Sequence, residues 1–321
     1  MDLSFLKGKK VLVAGGAGLL GSALTDLMDR GGIEVEATCF SRPPVPRLAQ
    51  RYTRYDLTSP EQCLAATAGK DLVLICAAHS GGVQQTQNSP TAGILPNLAI
   101  CAGLFEACST NAVGRALWIS SSTVYQDAPH PIREDELDLN RPVHPVYDGV
   151  GDLYRYLEGL AGCHRRRRGL SISTVRTANI YGPFDRFADG RSHVIPALIK
   201  RALSGETPFT VWGDGATTRD FVYVDDLVAG LLELVRHPEE AGPINLSSGR
   251  GVTVAELVET VLAACGHRAP IRFDPSQPTA IPYRVLDNTR FRERCGELPT
   301  TPLAEGIART VAWYRSELSR D

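Results

Sequence analysis

Two short stretches of this chain hold residues whose types and spacing suit chemistry. In "VLVAGGAGLLGSAL" the glycines satisfy both G-x-x-G-x-x-G (Gly15, Gly18, Gly21) and G-x-G-x-x-G (Gly16, Gly18, Gly21), directly after an apolar run and directly before a helical pattern. Glycine allows a tight turn and lets the backbone approach a pyrophosphate, while the N–H groups that open the helix face its charge. Gly15, Gly18, Leu19, Leu20 and Gly21 are therefore expected to bind a dinucleotide. The second stretch, "HPVYDGVGDLYRYLEG" (residues 144–159), carries Tyr147 at what reads as the opening of a helix, with Leu153, Leu157 and Leu160 on a helical repeat. A phenol titrates near about pH 10 and accepts a proton at neutral pH only where its surroundings favour the phenolate.

The kind of dinucleotide is read at the end of the second apolar run. An NAD site usually has an acidic residue there, about twenty residues past the glycines, to hold the adenosine ribose. This chain has "CFSRPP" instead, and Ser41 with Arg42 suits a 2′-phosphate, so NADP is the expected cofactor and NAD the alternative. Arg42 also reads as a solvated loop residue. Asp56 and Leu57 in "RYDLTSP" are expected beside the adenine, and Ala77 and Ala78, closing "DLVLICAA", beside the cofactor.

The elements that must position these residues follow from periodicity. Apolar runs at 10–15, 35–40, 71–78, 115–122 and 170–177 alternate with amphipathic segments such as "LGSALTDLMDRG" and "NLAICAGLFEACSTN". Strands separated by helices imply right-handed crossovers and a parallel sheet covered on both faces. The expected fold is α/β: a doubly wound parallel (Rossmann) sheet over residues 1–178, then a smaller C-terminal α/β substrate domain over 179–321, some segments of which return to the sheet. In that second part helices are expected at "HVIPALIKRAL", "VDDLVAGLLELVR" and "TVAELVETVLAAC". "RRRR" (165–168) reads as the solvated end of a helix closed by Gly169.

Composition narrows the function classes. A formal net charge of -2 on 321 residues gives no field of one sign, so neither nucleic acid nor an anionic membrane is an expected partner. The eight cysteines form no C-x-x-C pair and no zinc spacing, and they are expected to be reduced packing residues with no metal site. No run of 18 apolar residues occurs, which makes a soluble, cytoplasmic protein the expectation.

The stretches "GGAGLLG", "SSSTVYQ", Tyr147, "RTANIYGP" and "WGDGATTRDFVYVDD" occur in an order that resembles the extended short-chain dehydrogenase/reductases, the NAD-dependent epimerase/dehydratase family, over nearly the whole chain. Within that family "AAHSGGVQ", "NIYGPFDRFADGRSHVIPALIKRA", "FTVWGDG" and "IPYRVLD" are most similar to the GDP-L-fucose synthase branch. The resemblance implies an NAD(P)-dependent epimerase, reductase or dehydratase acting on a nucleotide-linked or nucleoside sugar. It implies that Ser121 and Tyr147 meet the reacting oxygen and that His193 donates the proton in epimerisation, with position 123 as its partner. On the substrate side it implies Asn179, Trp212, Arg219 and Arg284, the two arginines pairing with a diphosphate. A homodimer through the helix that carries Tyr147 is implied as well.

Two positions depart from that pattern. The family's lysine, four residues past the tyrosine, is here Gly151, and the five lysines (Lys7, Lys9, Lys10, Lys70, Lys200) are all distant in sequence. The branch's cysteine is here Thr123, whose hydroxyl is far less acidic than a thiol. An ordered water in the space left by Gly151 is the expected assistant to Tyr147. The other candidates are the oxidised nicotinamide ring and Arg155, which starts about 12 Å further along a helix. Other readings stay open: Ser192 as the cap of a helix beside His193, salt bridges from Arg219 and Arg284 to Asp220 or Asp287, and Asn97 as a structural helix residue. The alternative function is a non-catalytic nucleotide-binding protein of the same fold.

Overall fold

The structure is a computed structural model that describes residues 1–79, 91–187, 192–238, 242–277 and 281–319. Strand β1 (Val11–Ala14) is buried at every residue, as a strand covered on both faces must be. Its side chains alternate between two cores: Val11 and Val13 enter one, Leu12 and Ala14 the other. β1 pairs in parallel with β2 (Val35–Cys39) and, on its other side, β4 (Leu72–Ile75). With β3 (Tyr52–Arg54), β5 (Arg115–Ser121), β6 (Ile172–Thr177) and β10 (Ile244–Asn245), these form a seven-stranded parallel sheet of order β10-β6-β5-β4-β1-β2-β3. Chain direction across the sheet reverses between β1 and β4. In such sheets ligands bind in the crevice at the carboxyl ends of the strands flanking that point.

One face is covered by α1 (Leu19–Arg30), the other by α2 (Pro60–Thr67), α3 (Ile94–Thr110) and α4 (Val150–Arg168). Gly169 closes α4 in the left-handed conformation, directly after the arginine run. The second half of the chain contributes to the first face too. α6 (Val224–Arg236) packs beside α1 through Leu227, Val228, Leu231 and Leu232, and β10 extends the sheet beyond β6.

The remaining elements surround a third core. β7 (Asn179–Tyr181), β9 (Thr218–Tyr223), β11 (Gly251–Thr253) and β13 (Tyr283–Arg284) form one small sheet, and β8 (Phe209–Trp212) pairs with β12 (Ile271–Asp274). Around them lie α5 (Val194–Leu203), α7 (Val254–Cys265) and α9 (Leu303–Leu318), while α8 (Thr289–Cys295) lies against β10. Among the described residues no helix is long and apolar enough to cross a membrane, and no cluster of His, Cys, Asp and Glu is suited to a metal ion.

Candidate active site

The glycine loop between β1 and α1 is a close backbone junction. Gly15 has φ +86, and a Cβ there would lie 2.5 Å from Ala77 Cα; its N–H donates to Thr38 Oγ1 at 2.8 Å. A Cβ on Gly21 would run into the Gly15 carbonyl and approach Gly16 Cα to 2.7 Å. The Gly16 carbonyl is itself held by Ser22 Oγ (3.0 Å) and Tyr52 OH (3.1 Å). Gly18 is the N-cap of α1 and no side chain caps the helix, so its first N–H groups stay available to an anion. Leu20 and Leu57 are core residues, 6% and 7% exposed, so their side chains are spent on packing.

The other expected cofactor residues have definite partners. The guanidinium of Arg42 is no solvated loop group: Nη2 donates to the carbonyls of Phe184 (2.7 Å) and Asp185 (3.4 Å). Burial and the neighbouring Arg186 lower its pKa from the ordinary arginine value. Ser41 and Ala78 are exposed and Ala77 faces Gly15. The Asp56 carboxylate accepts from the Thr58 hydroxyl (2.6 Å) and N–H (3.0 Å), which hold it below its ordinary pKa. Asn97 is structural: it exchanges hydrogen bonds with the His79 backbone at 2.6 and 3.2 Å. Residues 80–84 of "AAHSGGVQ" lie outside the described residues.

On the reaction side the local geometry differs from the expectation. Tyr147 does not open α4. It ends a separate 3-10 turn, Pro145–Tyr147, and Gly149, with φ +74, then redirects the chain into α4 at Val150. Nor does Gly151 leave a space for water. A Cβ there would stand 2.6 Å from the Thr123 carbonyl oxygen and 2.9 Å from Val143 Cγ1, so the helix is packed directly on the segment after β5. Arg155 is unavailable as well, since its Nε donates to the Val124 carbonyl and its Nη1 to that of Arg141, both at 2.7 Å. Ser121 ends β5 and accepts from the Thr123 N–H (3.2 Å) and hydroxyl (3.0 Å). Among the described residues no hydrogen bond joins Tyr147 to Ser121 or to His193.

The cations nearest in kind to a missing lysine come from the small sheet. Arg284 and Arg219 are register partners on β13 and β9. Arg284 is 3% exposed and its Nη2 donates to the Tyr125 carbonyl (3.1 Å), while its buried Nε and Nη1 have no hydrogen-bond partner among the described residues. Arg219 is 9% exposed, and its Nη1 donates to the Thr218 carbonyl at 2.8 Å. Burial lowers the pKa of each guanidinium, and the Tyr147 phenol beside them acts in the opposite sense on both. The salt bridges anticipated for them do not form. Asp220 is bound by Ser248, Gly249 and Leu286, Asp287 by Thr289, and Arg284 instead approaches Asp127 at 3.9 Å.

Asn179 anchors β7 to β9 through a hydrogen bond to the Asp220 carbonyl (2.9 Å), and Trp212 ends β8 with half its surface exposed. His193 is itself the N-cap residue of α5, without a side-chain cap, and its Nδ1 lies 3.1 Å from Asp185 Oδ1. Sequence reasoning missed Asp185, Thr38 and Tyr125. The strand alternation marks Thr38 only as inward-facing, and nothing periodic marks Asp185, whose contact is made across a loop.

The family described as "NAD dependent epimerase/dehydratase family" matches residues 11–247. A probable GDP-L-fucose synthase 1 of Oryza sativa subsp. japonica is 32% identical over 324 residues, covering 97% of this chain and 94% of that protein. A dTDP-4-dehydro-6-deoxy-D-allose reductase of Streptomyces sp is 33% identical over 321 residues, covering 96% and 97%. Among solved structures, a UDP-glucose 4-epimerase with UDP-glucose from Thermotoga maritima superposes with a TM-score of 0.85 at 26% identity, over 96% of this chain and 99% of that one.

Proposed function

From the premise that the chain belongs to the NAD dependent epimerase/dehydratase family, we propose that it reduces a keto group on a nucleotide-linked deoxysugar, with NADP(H) preferred over NAD(H). The observation that carries this reading is the buried Arg219–Arg284 pair beside Tyr147, in which Nε and Nη1 of Arg284 have no hydrogen-bond partner among the described residues. Unpartnered buried donors are costly, and a doubly charged diphosphate satisfies them with charge-assisted bonds of about 1.5–3 kcal/mol each.

The glycine cradle fits a dinucleotide, because Cβ atoms at Gly15, Gly16 and Gly21 would collide with backbone or with Ala37. Held by the backbone of Gly15, Gly18 and Gly21, a dinucleotide would supply hydride for a sugar carbon from its nicotinamide. Tyr147 donates its phenolic proton to the oxygen of the carbonyl being reduced, and Ser121 hydrogen-bonds the same oxygen. Reduction is favoured over epimerisation because Thr123, bonded to Ser121, is too weak an acid to serve as a base towards a carbon acid. The relative named a 4-dehydro-6-deoxy sugar reductase supports the same choice.

The test is NADPH oxidation, followed by its absorbance, with dTDP- and GDP-linked 4-keto-6-deoxy sugars. Tyr147→Phe is expected to abolish turnover, while Arg155→Ala retains most of it. A protein that binds NADP but oxidises no NADPH with any of these sugars is the non-catalytic binder instead. If Tyr147→Phe keeps the wild-type rate, the proposed acid–base chemistry is wrong.

A further inference from the structure

We infer that Asp185 is a positioning partner for His193, locking the imidazole Nδ1–H in a buried hydrogen bond and leaving Nε2 as the ring atom presented to a substrate. The inference rests on the reading of this chain as a sugar-nucleotide enzyme whose substrate reaches His193. The geometry is asymmetric in a useful way. The Asp185 side chain is 2% exposed, whereas that of His193 is 50% exposed, so one edge of the ring is held inside while the other faces outward. Oδ1 of Asp185 lies 3.1 Å from His193 Nδ1 and also accepts the Arg186 N–H at 2.7 Å. Among the described residues Nε2 of His193 has no partner. A carboxylate bound at Nδ1 fixes both the tautomer and the ring orientation.

The carboxylate is itself held in place from three sides. Arg42 binds the carbonyls of Phe184 and Asp185. Phe184, in a left-handed conformation at φ +72, packs edge-on against Trp313 with ring centres 5.6 Å apart. Phe187 stacks on Tyr314 at 3.8 Å, which pins the far side of the loop to α9. Among the described residues the buried Oδ2 has no hydrogen-bond partner, and His193, Arg42 and Arg186 are the cations beside the carboxylate. The hydrogen bond from Asp185 raises the pKa of His193; burial and Arg186 oppose it without cancelling it.

The sign of the pH dependence follows. A raised pKa keeps His193 protonated to higher pH, so the ion pair contributes to stability below the unfolded value of about 6.5 and is lost as pH rises through the folded pKa. Activity that needs the protonated ring falls over that same upper window. In the reduction the transferred proton comes from Tyr147, so protonated His193 keeps both ring protons: Nδ1–H stays on Asp185, and Nε2–H is offered to the substrate as a charge-assisted hydrogen bond.

The test is an imidazole NMR titration of the full-length protein labelled with 15N-histidine, with His193→Gln to assign the signal. Neutral His193 is expected as the Nδ1–H tautomer. In Asp185→Asn, which keeps an acceptor but removes the charge, its titration is expected to move to lower pH, and the alkaline limb of kcat with it. The loss in kcat/KM should be smaller than in His193→Ala, because Asp185→Asn keeps the imidazole in the site. A neutral Nε2–H tautomer in the wild type overturns the inference even if the variant does not fold. So does an unchanged titration in an Asp185→Asn protein that still binds NADP. Shifted titration without turnover of any sugar nucleotide supports the pair and rejects the function; turnover with unshifted titration rejects the pair alone.

Discussion

Gly151 shows how a single residue can be read correctly for what it lacks and wrongly for what it leaves. The absence of a lysine is plain in the sequence, yet the position is filled by the Thr123 carbonyl and Val143 rather than by solvent. Overpacking a close backbone approach costs about 1–3 kcal/mol. Gly151→Ala is therefore expected to lower the urea midpoint by that free energy, and Gly151→Lys to lower both stability and turnover instead of restoring a family lysine. A stable and more active Gly151→Lys protein would show that the lysine site is still open.

At the scale of elements, the segment from Ser120 to Tyr125 is held by a buried polar network that joins β5, β6, β10 and α4. Arg176 pairs with Glu158 at 2.7 Å and donates to Tyr125 OH at 2.7 Å; Tyr125 donates to Asn245, and Ser120 to Glu158, also at 2.7 Å. The burial of Arg176 and Glu158 makes the network costly to leave half-made. Glu158→Ala strands a buried guanidinium and is expected to cost about 3–5 kcal/mol, whereas Glu158→Leu combined with Arg176→Met should cost much less. Urea unfolding decides this through the midpoint at unchanged slope. Equal losses in the single and double variants would show that shape, not charge, governs the site.

At the scale of the whole molecule, Arg42 links the nucleotide-binding sheet to the loop that leads towards His193. Only Nη2 is engaged by those carbonyls, so a 2′-phosphate can take the other guanidinium nitrogens, and a charge-assisted bond is worth about 1.5–3 kcal/mol. NADP is therefore expected to bind roughly 10- to 150-fold more tightly than NAD, and Arg42→Asp to reverse that order. Calorimetric titrations with both dinucleotides provide the check. Equal affinities would leave Arg42 as a strut between the two halves and nothing more.

The sequence alone determined the features that local pattern encodes. Apolar runs and amphipathic repeats located the strands of the main sheet from β1 to β6, except the short β3, to within about three residues, and the helices α5, α6 and α7 to within one. The glycine spacing located the cradle, because Gly18 and Gly21 answer contacts within the loop itself, whereas the contacts of Gly15 with Ala77 and of Gly16 with Ala37 belong to the tertiary structure. The strands from β7 onward are two to six residues long and carry too little period to be seen. Tertiary structure alone decided that Tyr147 precedes its helix, that α4 presses on the Thr123 carbonyl, that Arg219 lies beside Arg284, and that Asp185 holds His193. Each of these depends on a turn's backbone angles or on segments meeting across a sheet or loop. Hydrophobic periodicity records which face of an element is buried, but not which distant residue is buried against it.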